Sequence, residues 1–167
     1  MSTVKFSIIV VSDRVYEGRA KDLSGPLASK IIREHGFQVK NIAYSRNDVK
    51  MIRDLIAKES TSSDVILIIG GTGLGPKDVS VEAAKDIVKK EIPGFGELFR
   101  YLTFIREGTI AWLTRAYAAL TIYNTLIFIT PGSPRAVELA LKEIILKEID
   151  HAMSMIRGYS HWNEAKQ

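Results

Sequence analysis

The hydrophobic and polar positions of this chain form two patterns, short apolar runs and longer stretches with helical spacing. The apolar runs predict strands, and the run at 65–69 suits a strand buried on both faces of a parallel sheet because no polar residue interrupts it. Strands are predicted at 5–11, 37–44, 65–69 and 125–129. Helices are predicted at 24–36, from 47 or 48 through Ile56, at 79–90, after a turn at 93–96, and from Ser133 to Ile156. The stretch 111–120 fits either a helix or a strand.

Strands that alternate with helices predict βαβ units, and therefore an α/β fold with a largely parallel sheet and helices on both faces. We interpret residues 1–157 as one domain and 158–167 as a polar C-terminal tail. Ligands of such folds bind beyond the carboxyl ends of the strands. Three loops are predicted to meet at that edge of the sheet, and they span 12–14, 70–78 and 130–134.

Composition narrows the possible functions. The chain has 167 residues, 46% of them hydrophobic and 25% charged, which fits one globular domain. It has no cysteine, which excludes disulfides, thiolate metal sites and a cysteine nucleophile. The net charge of +4 favours anionic ligands, but the basic residues are interspersed with acidic ones, which argues against nucleic acid as a partner. No apolar stretch is long enough to span a membrane, so we expect a cytoplasmic protein without a membrane partner.

A glycine-rich turn is the most informative feature of the sequence. Four glycines fall within residues 70–75, directly after a buried strand and before a helix. Glycine permits a close approach of the backbone to a ligand, and backbone N–H groups near a helix N-terminus favour an anion. Neither common phosphate-binding glycine motif is present. Because a tight connection alone needs fewer glycines, we interpret this turn as a phosphate-binding site.

Several charged residues are candidates for the chemistry of the site. Asp78 either caps the following helix or holds Mg²⁺ beside phosphates, and the sequence favours neither; Ser80 is an equally good cap. Asp13, at the end of the first strand, is a weak candidate ligand. Arg100 and Arg115 could bind phosphate, although surface ion pairing is the better interpretation. The histidines are interpreted as structural, and they are His35, His151 and His161.

Six segments match the motifs of one protein family in the order in which that family carries them. They are Val11-Ser12-Asp13-Arg14, Asp22-Leu23-Ser24-Gly25, Gly70-Gly71-Thr72-Gly73 continuing through 77–83, Pro93-Gly94-Phe95-Gly96-Glu97, Leu113-Thr114-Arg115-Ala116 and Pro131-Gly132-Ser133-Pro134. On these segments the chain resembles the MoaB/MogA family of molybdenum-cofactor biosynthesis proteins, and the MoaB-like branch in particular. The resemblance extends to about Ile149.

The resemblance implies a three-layer α/β/α sandwich whose mostly parallel sheet has one antiparallel strand, with a hairpin within 115–129. It also implies a homo-oligomer, either a trimer or a hexamer. The implied substrates are molybdopterin, a phosphorylated pterin dithiolene, and ATP with Mg²⁺. The implied reaction is an adenylyl transfer from ATP to the terminal phosphate of molybdopterin, with release of pyrophosphate.

The resemblance also assigns site residues. Asp78 matches an aspartate that acts with the metal, and Gly70, Gly71, Thr72 and Gly73 line the phosphate site. Further positions near the ligands are Ser12, Asp13, Glu82, Gly94, Phe95, Thr114, Pro131, Gly132 and Ser133.

The chain departs from the family at one of the catalytic candidates. Asn47 stands where active members often carry an aspartate, and Asp48 beside it could supply the missing charge. The catalytic candidates are therefore Asp78, Asp48 and Asn47. Because asparagine brings no charge, a non-catalytic molybdopterin-binding or carrier protein is the alternative function. An unrelated nucleotide-binding module that shares only the α/β architecture is the third hypothesis.

Overall fold

A six-stranded sheet is the centre of the computed structural model, which describes residues 3–159. The strands lie in the order β2-β1-β3-β6-β5-β4. Their bounds are β1 Lys5–Val11, β2 Gln38–Ser45, β3 Val65–Ile69, β4 Val88–Glu91, β5 Tyr117–Thr121 and β6 Leu126–Thr130. Strand β1 pairs parallel with β2 and β3, and β3 pairs parallel with β6. Strand β5 runs antiparallel to both of its neighbours, β4 and β6, which confirms the expected sheet and the hairpin.

Helices cover both faces of the sheet and make three layers. They are α1 Asp13–Tyr16, α2 Ser24–Glu34, α3 Val49–Glu59, α4 Ser80–Lys85, α5 Pro93–Glu107, α6 Pro134–Leu139 and α7 Leu146–Ile156, with a 3₁₀ helix at Gly108–Leu113 and a π-helical segment at Ala140–Ile145. One apolar cluster joins α2, α5, α6 and α7 to one face of the sheet. A second cluster joins α3 and α4 to the other face. Among residues 3–159, no helix combines the length and apolar character needed to cross a membrane.

The strand at 65–69 is buried along its whole length, as its unbroken apolar run predicts. The helix predicted at 79–90 is wrong in its second half, because α4 ends at Lys85 and residues 88–91 form the edge strand β4. Val88 pairs with Thr121, and such a long-range pairing overrides local helical preference. The exposed lysines of β4 suit an unpaired sheet edge.

The predicted turn at 93–96 is the first turn of α5, which begins at Pro93. Gly96 is buried there, and a Cβ at this position would lie 2.6 Å from the carbonyl oxygen of Ala116. This glycine therefore permits close packing of α5 on the segment before β5. The ambiguous stretch 111–120 divides into the end of the 3₁₀ helix and most of β5.

The last helical region begins at Pro134 behind Ser133, whose hydroxyl caps it by accepting a hydrogen bond from Ala136 N–H at 3.2 Å. The predicted buried positions Val137, Leu141, Ile145 and Ile149 are buried, and Ile156 is partly buried. Apart from Gly158 and Tyr159, the predicted tail lies outside the described residues, as does His161.

Candidate functional site at the carboxyl edge of the sheet

The topology creates a crevice at the carboxyl ends of β1 and β3. Because β2 and β3 lie on opposite sides of β1, the direction of winding reverses there, and such switch points hold the ligands of open α/β sheets. The three predicted loops meet at this place. Gly70 N–H donates to the carbonyl oxygen of Thr130 at 2.8 Å, and the Ser24 hydroxyl donates to that of Gly132 at 2.7 Å.

The glycine turn needs its first two glycines for its backbone geometry. Gly70 has φ +104° and Gly71 has φ +71°, both in the left-handed region that glycine adopts most readily. A Cβ at Gly70 would lie 2.4 Å from the carbonyl oxygen of Val11, and a Cβ at Gly71 would lie 2.2 Å from Ser80 Oγ. The turn is therefore packed against the end of β1 and the start of α4.

Four consecutive carbonyl groups of the turn are anchored to the protein. The oxygens of Gly70 and Gly71 accept from Ser80, through its hydroxyl at 2.7 Å and its N–H at 3.1 Å. The oxygens of Thr72 and Gly73 accept from Arg115, through its N–H at 3.1 Å and its Nε at 3.0 Å. This pattern fixes the orientation of four successive peptide planes.

The N–H groups of those four peptides belong to Gly71, Thr72, Gly73 and Leu74. None of them has a hydrogen-bond partner among residues 3–159. In a trans peptide the N–H points opposite to the carbonyl, so each of these donors is directed away from its anchored carbonyl. Free consecutive backbone donors of this kind form an anion-binding surface.

Asp78 lies over the same turn instead of capping α4. Its Oδ2 accepts from Gly75 N–H at 3.0 Å, and a Cβ at Gly73 would lie 2.7 Å from that oxygen. The residue before α4 is Val79, which makes no side-chain cap, so neither of the two candidate caps, Asp78 and Ser80, caps this helix. The Ser80 hydroxyl is fully buried and holds the turn instead. The Oδ1 of Asp78 accepts no hydrogen bond within the described part of the chain.

Two cavities open on either side of the glycine turn and share Gly71, Asp78 and Gly132. The first has a volume of about 530 Å³ and is also lined by Ser12, Asp13, Asp22, Asn47 and Gly70. The second has a volume of about 400 Å³ and is also lined by Thr72, Gly73, Thr103, Thr114 and Pro131. Both volumes lie in the usual range for small-molecule sites.

Asn47 acts on Asp13 in the first cavity. Asp13 Oδ1 accepts from the backbone N–H of Asn47 at 2.8 Å and from its Nδ2 at 3.2 Å, and Lys77 Nζ lies 3.6 Å from Oδ2. The backbone hydrogen bond from Asn47 lowers the pKa of Asp13 and is a larger effect than burial, which raises it. The Asn47 amide and Lys77 lower the pKa further by smaller amounts. Asn47 therefore orients a carboxylate and keeps it ionised.

Five of the residues assigned by resemblance line neither of these two cavities. Phe95 is 4% exposed and packs on Phe128 in the core, and Gly94 is exposed on the first turn of α5. Asp48 caps α3 by accepting from Met51 N–H at 2.6 Å. The other two are Glu82 and Ser133.

Glu82 forms an ion pair with Arg115. Burial raises the pKa of the Glu82 carboxyl, but the hydrogen bond and the charge of Arg115 outweigh it and lower the pKa overall. The carboxylate therefore stays ionised beside the guanidinium.

Lys21, Asp22 and Ser24 are among the residues of the first cavity to which the sequence assigned no role. Asp22 Oδ1 accepts from the N–H groups of Ser24 at 3.0 Å and Gly25 at 2.9 Å, which stabilises the start of α2. The segment 22–25 is one of the six that match the family, but no spacing rule links its residues to a ligand.

A metal ion at this site would need coordinating atoms from a bound substrate as well as from the protein. Among residues 3–159, no group of three or more His, Cys, Asp or Glu side chains is arranged to hold a metal. Mg²⁺, however, usually binds through one or two carboxylates together with the phosphates of a substrate. Asp13 and Asp78, which both line the first cavity, fit that requirement.

Fold and site together define a three-layer α/β/α protein with a ligand crevice at the switch point of its sheet. The family described as a probable molybdopterin binding domain matches residues 7–151, and the chain belongs to this family. This confirms the resemblance inferred from the six segments.

This chain aligns with known relatives over most of their lengths. Molybdenum cofactor biosynthesis protein B of Staphylococcus epidermidis is 40% identical over 155 residues, which cover 89% of this chain and 86% of that protein. Its counterpart in Halalkalibacterium halodurans is 38% identical over 158 residues, which cover 92% and 91%. Among solved structures, the tungsten cofactor synthesizing protein MoaB from Pyrococcus furiosus has a TM-score of 0.86 and 31% identity, and the match covers 94% of this chain and 99% of that chain.

Proposed function

We propose that this protein acts in molybdenum cofactor biosynthesis, where it binds molybdopterin and transfers AMP from Mg-ATP to the terminal phosphate of the pterin, releasing pyrophosphate. The observation that carries the proposal is the row of N–H groups from Gly71 to Leu74, which follows the buried strand β3 and has no hydrogen-bond partner in the described part of the chain. A site for phosphate groups requires such donors.

The two cavities suit a reaction that joins two phosphorylated molecules. They meet at Gly71, Asp78 and Gly132, so ligands in the two cavities would face each other across these residues. Joining two phosphates requires that their repulsion be neutralised and that the attacking oxygen be aligned with the α-phosphorus. The N–H groups of the turn supply fixed positive dipoles for this purpose.

Mg²⁺ that arrives with ATP would be held by Asp78 and Asp13, and it would neutralise part of the phosphate charge. The unpartnered Oδ1 of Asp78 is available for this role. Asn47 contributes by holding the Asp13 carboxylate in place through two hydrogen bonds. In this assignment Asp13 supplies the negative charge that Asn47 lacks, and Asp48 caps α3.

Pyrophosphate release from Mg-ATP in the presence of molybdopterin tests the reaction. We expect Asp78→Asn to lower the rate by about 100-fold or more, because it removes the charge that holds the metal. Asp54→Asn is the matched control, because Asp54 is exposed on α3 and its partner within residues 3–159 is Lys50 on the same helix. Equal rates for the two variants would refute the proposed role of Asp78.

A carrier protein is the second candidate, and the neutral Asn47 favours it. Calorimetry with molybdopterin alone separates the two functions. A carrier binds the pterin without ATP or Mg²⁺ and releases no pyrophosphate when both are added. The proposed transferase releases pyrophosphate under the same conditions.

We also propose that the protein is a homo-oligomer, a trimer or a hexamer, assembled through an apolar face of α5 and the 3₁₀ helix. The exposed members of this α5 face are Leu98, Tyr101, Phe104, Ile105, Ile110 and Trp112. Ile105 is 63% and Trp112 is 71% exposed, and monomeric proteins seldom expose a contiguous patch of such residues. The same segment supplies Thr103, Glu107 and Ile110 to the wall of the second cavity, so assembly would also stabilise that wall.

A further inference from the structure

Arg115 makes more contacts with the glycine turn than any surface ion pair would require. Its N–H donates to the oxygen of Thr72 at 3.1 Å, and its Nε donates to the oxygen of Gly73 at 3.0 Å. Its Nη2 donates to the oxygen of Asp78 at 2.8 Å, and its Nη1 pairs with Glu82 on α4. Arg115, which lies two positions before β5, thus contacts the middle of the glycine turn, the residue Asp78 that follows the turn, and the helix α4.

The guanidinium group does not line either of the two cavities beside the turn. Arg115 instead lines a third cavity of about 450 Å³, together with Arg100, Trp112 and Tyr117. Three of its N–H directions are already used by the protein. Apart from its charge, Arg115 therefore affects a ligand at the turn through the backbone that it holds.

The planar peptide group transmits this effect. Because the carbonyl and the N–H of a trans peptide point in opposite directions, binding the oxygens of Thr72 and Gly73 directs the N–H groups of Gly73 and Leu74 away from Arg115. We infer that Arg115 is a positioning residue that sets the direction of these donors for the phosphate groups of the ligand, and that Glu82 orients Arg115. This inference rests on the proposed function, because it assumes that an anionic ligand occupies the turn.

Lysine keeps the backbone bond to Thr72, but it cannot replace the guanidinium that holds the oxygen of Gly73 and directs the N–H of Leu74. It keeps the positive charge, but it is a single point charge, whereas the rigid guanidinium fork reaches Gly73, Asp78 and Glu82 together. Arg115→Lys therefore changes the contacts that orient the turn without changing the net charge of the site. Arg53→Lys is a matched control, because Arg53 pairs with Asp86 and contacts Ala83 on α4 but does not contact the turn.

Calorimetric binding of inorganic pyrophosphate with Mg²⁺ is the test. We expect Arg115→Lys to weaken binding by about tenfold or more, and Arg53→Lys to leave it unchanged. We expect Glu82→Gln to weaken binding in the wild-type background but not in the Arg115→Lys background, because Glu82 acts through Arg115. Because residues in contact depend on each other even in a purely structural role, urea denaturation of the same variants is the second readout. A purely structural role would lower the free energy of unfolding without weakening pyrophosphate binding by the folded protein.

The outcomes distinguish the inference from the proposed function. If the wild-type protein binds no pyrophosphate, the proposed function fails and the inference fails with it. If the wild type binds and Arg115→Lys binds equally well, only the inference is wrong. Should Arg115→Lys fail to fold, Glu82→Gln decides alone, and an unchanged affinity in that variant overturns the inference.

Discussion

Two glycines with the same φ angle provide a test of how Ser80 stabilises the glycine turn. Gly18 and Gly71 both have φ +71°. A Cβ at Gly18 would meet nothing within 4 Å, whereas a Cβ at Gly71 would lie 2.2 Å from Ser80 Oγ and 3.1 Å from Ser80 Cβ. Alanine at either position therefore bears left-handed backbone strain of about 1 to 2 kcal/mol, and only Gly71→Ala also displaces Ser80.

Displacing Ser80 breaks the buried hydrogen bond from its hydroxyl to the oxygen of Gly70. Leaving such a group unpaired costs about 1 to 3 kcal/mol. We therefore expect the free energy of unfolding of Gly71→Ala to be about 1 to 3 kcal/mol lower than that of Gly18→Ala, and its pyrophosphate affinity to fall as well. Urea denaturation at one protein concentration measures the first quantity, and calorimetry measures the second. Equal unfolding free energies, or wild-type affinity in Gly71→Ala, would refute this account of the turn.

Three further predictions concern charge, core and assembly. The pKa of the Asp13 carboxyl is lowered from its ordinary 3.8. Wild type should therefore be more stable than Asp13→Asn at pH 7, and the difference should vanish as the pH falls through that lowered pKa. Urea denaturation at several pH values measures the difference, and a constant difference would contradict the prediction. Ile68→Ala should lower the free energy of unfolding by about 2 to 5 kcal/mol, because Ile68 is fully buried, whereas Met155→Ala at an exposed position should change it little. Ile105→Asp should lower the oligomer mass measured by light scattering, and Met155→Asp should not; an unchanged mass would exclude the α5 face as the interface.

The sequence predicted those parts of the fold that local patterns determine. The unbroken apolar run of β3 indicates burial on both faces, and the glycines after it indicate a backbone that side chains would obstruct. The second half of the predicted helix at 79–90 was wrong because Val88 pairs with Thr121 of β5. No local pattern encodes a pairing between segments so far apart in the chain.

The site was predictable in its location but not in the roles of its residues. The alternation of strands and helices placed the loops at one edge of the sheet, as the bond from Gly70 to Thr130 confirms. The contact of Asn47 with Asp13, however, joins residues that are 34 positions apart. The contact of Arg115 with Gly73 spans 42 positions. Their roles depend on tertiary contacts, which neither residue type nor spacing reveals.

The proposed function depends on the binding of an anionic ligand by the N–H groups of the glycine turn that have no partner among residues 3–159. Titration of the ¹⁵N-labelled protein with Mg²⁺ and inorganic pyrophosphate, followed by amide NMR spectra, tests it residue by residue. We expect the amide resonances of Gly71, Thr72, Gly73 and Leu74 to move with increasing pyrophosphate and to saturate together. Saturable shifts elsewhere in the protein, with these four resonances unmoved, would contradict it.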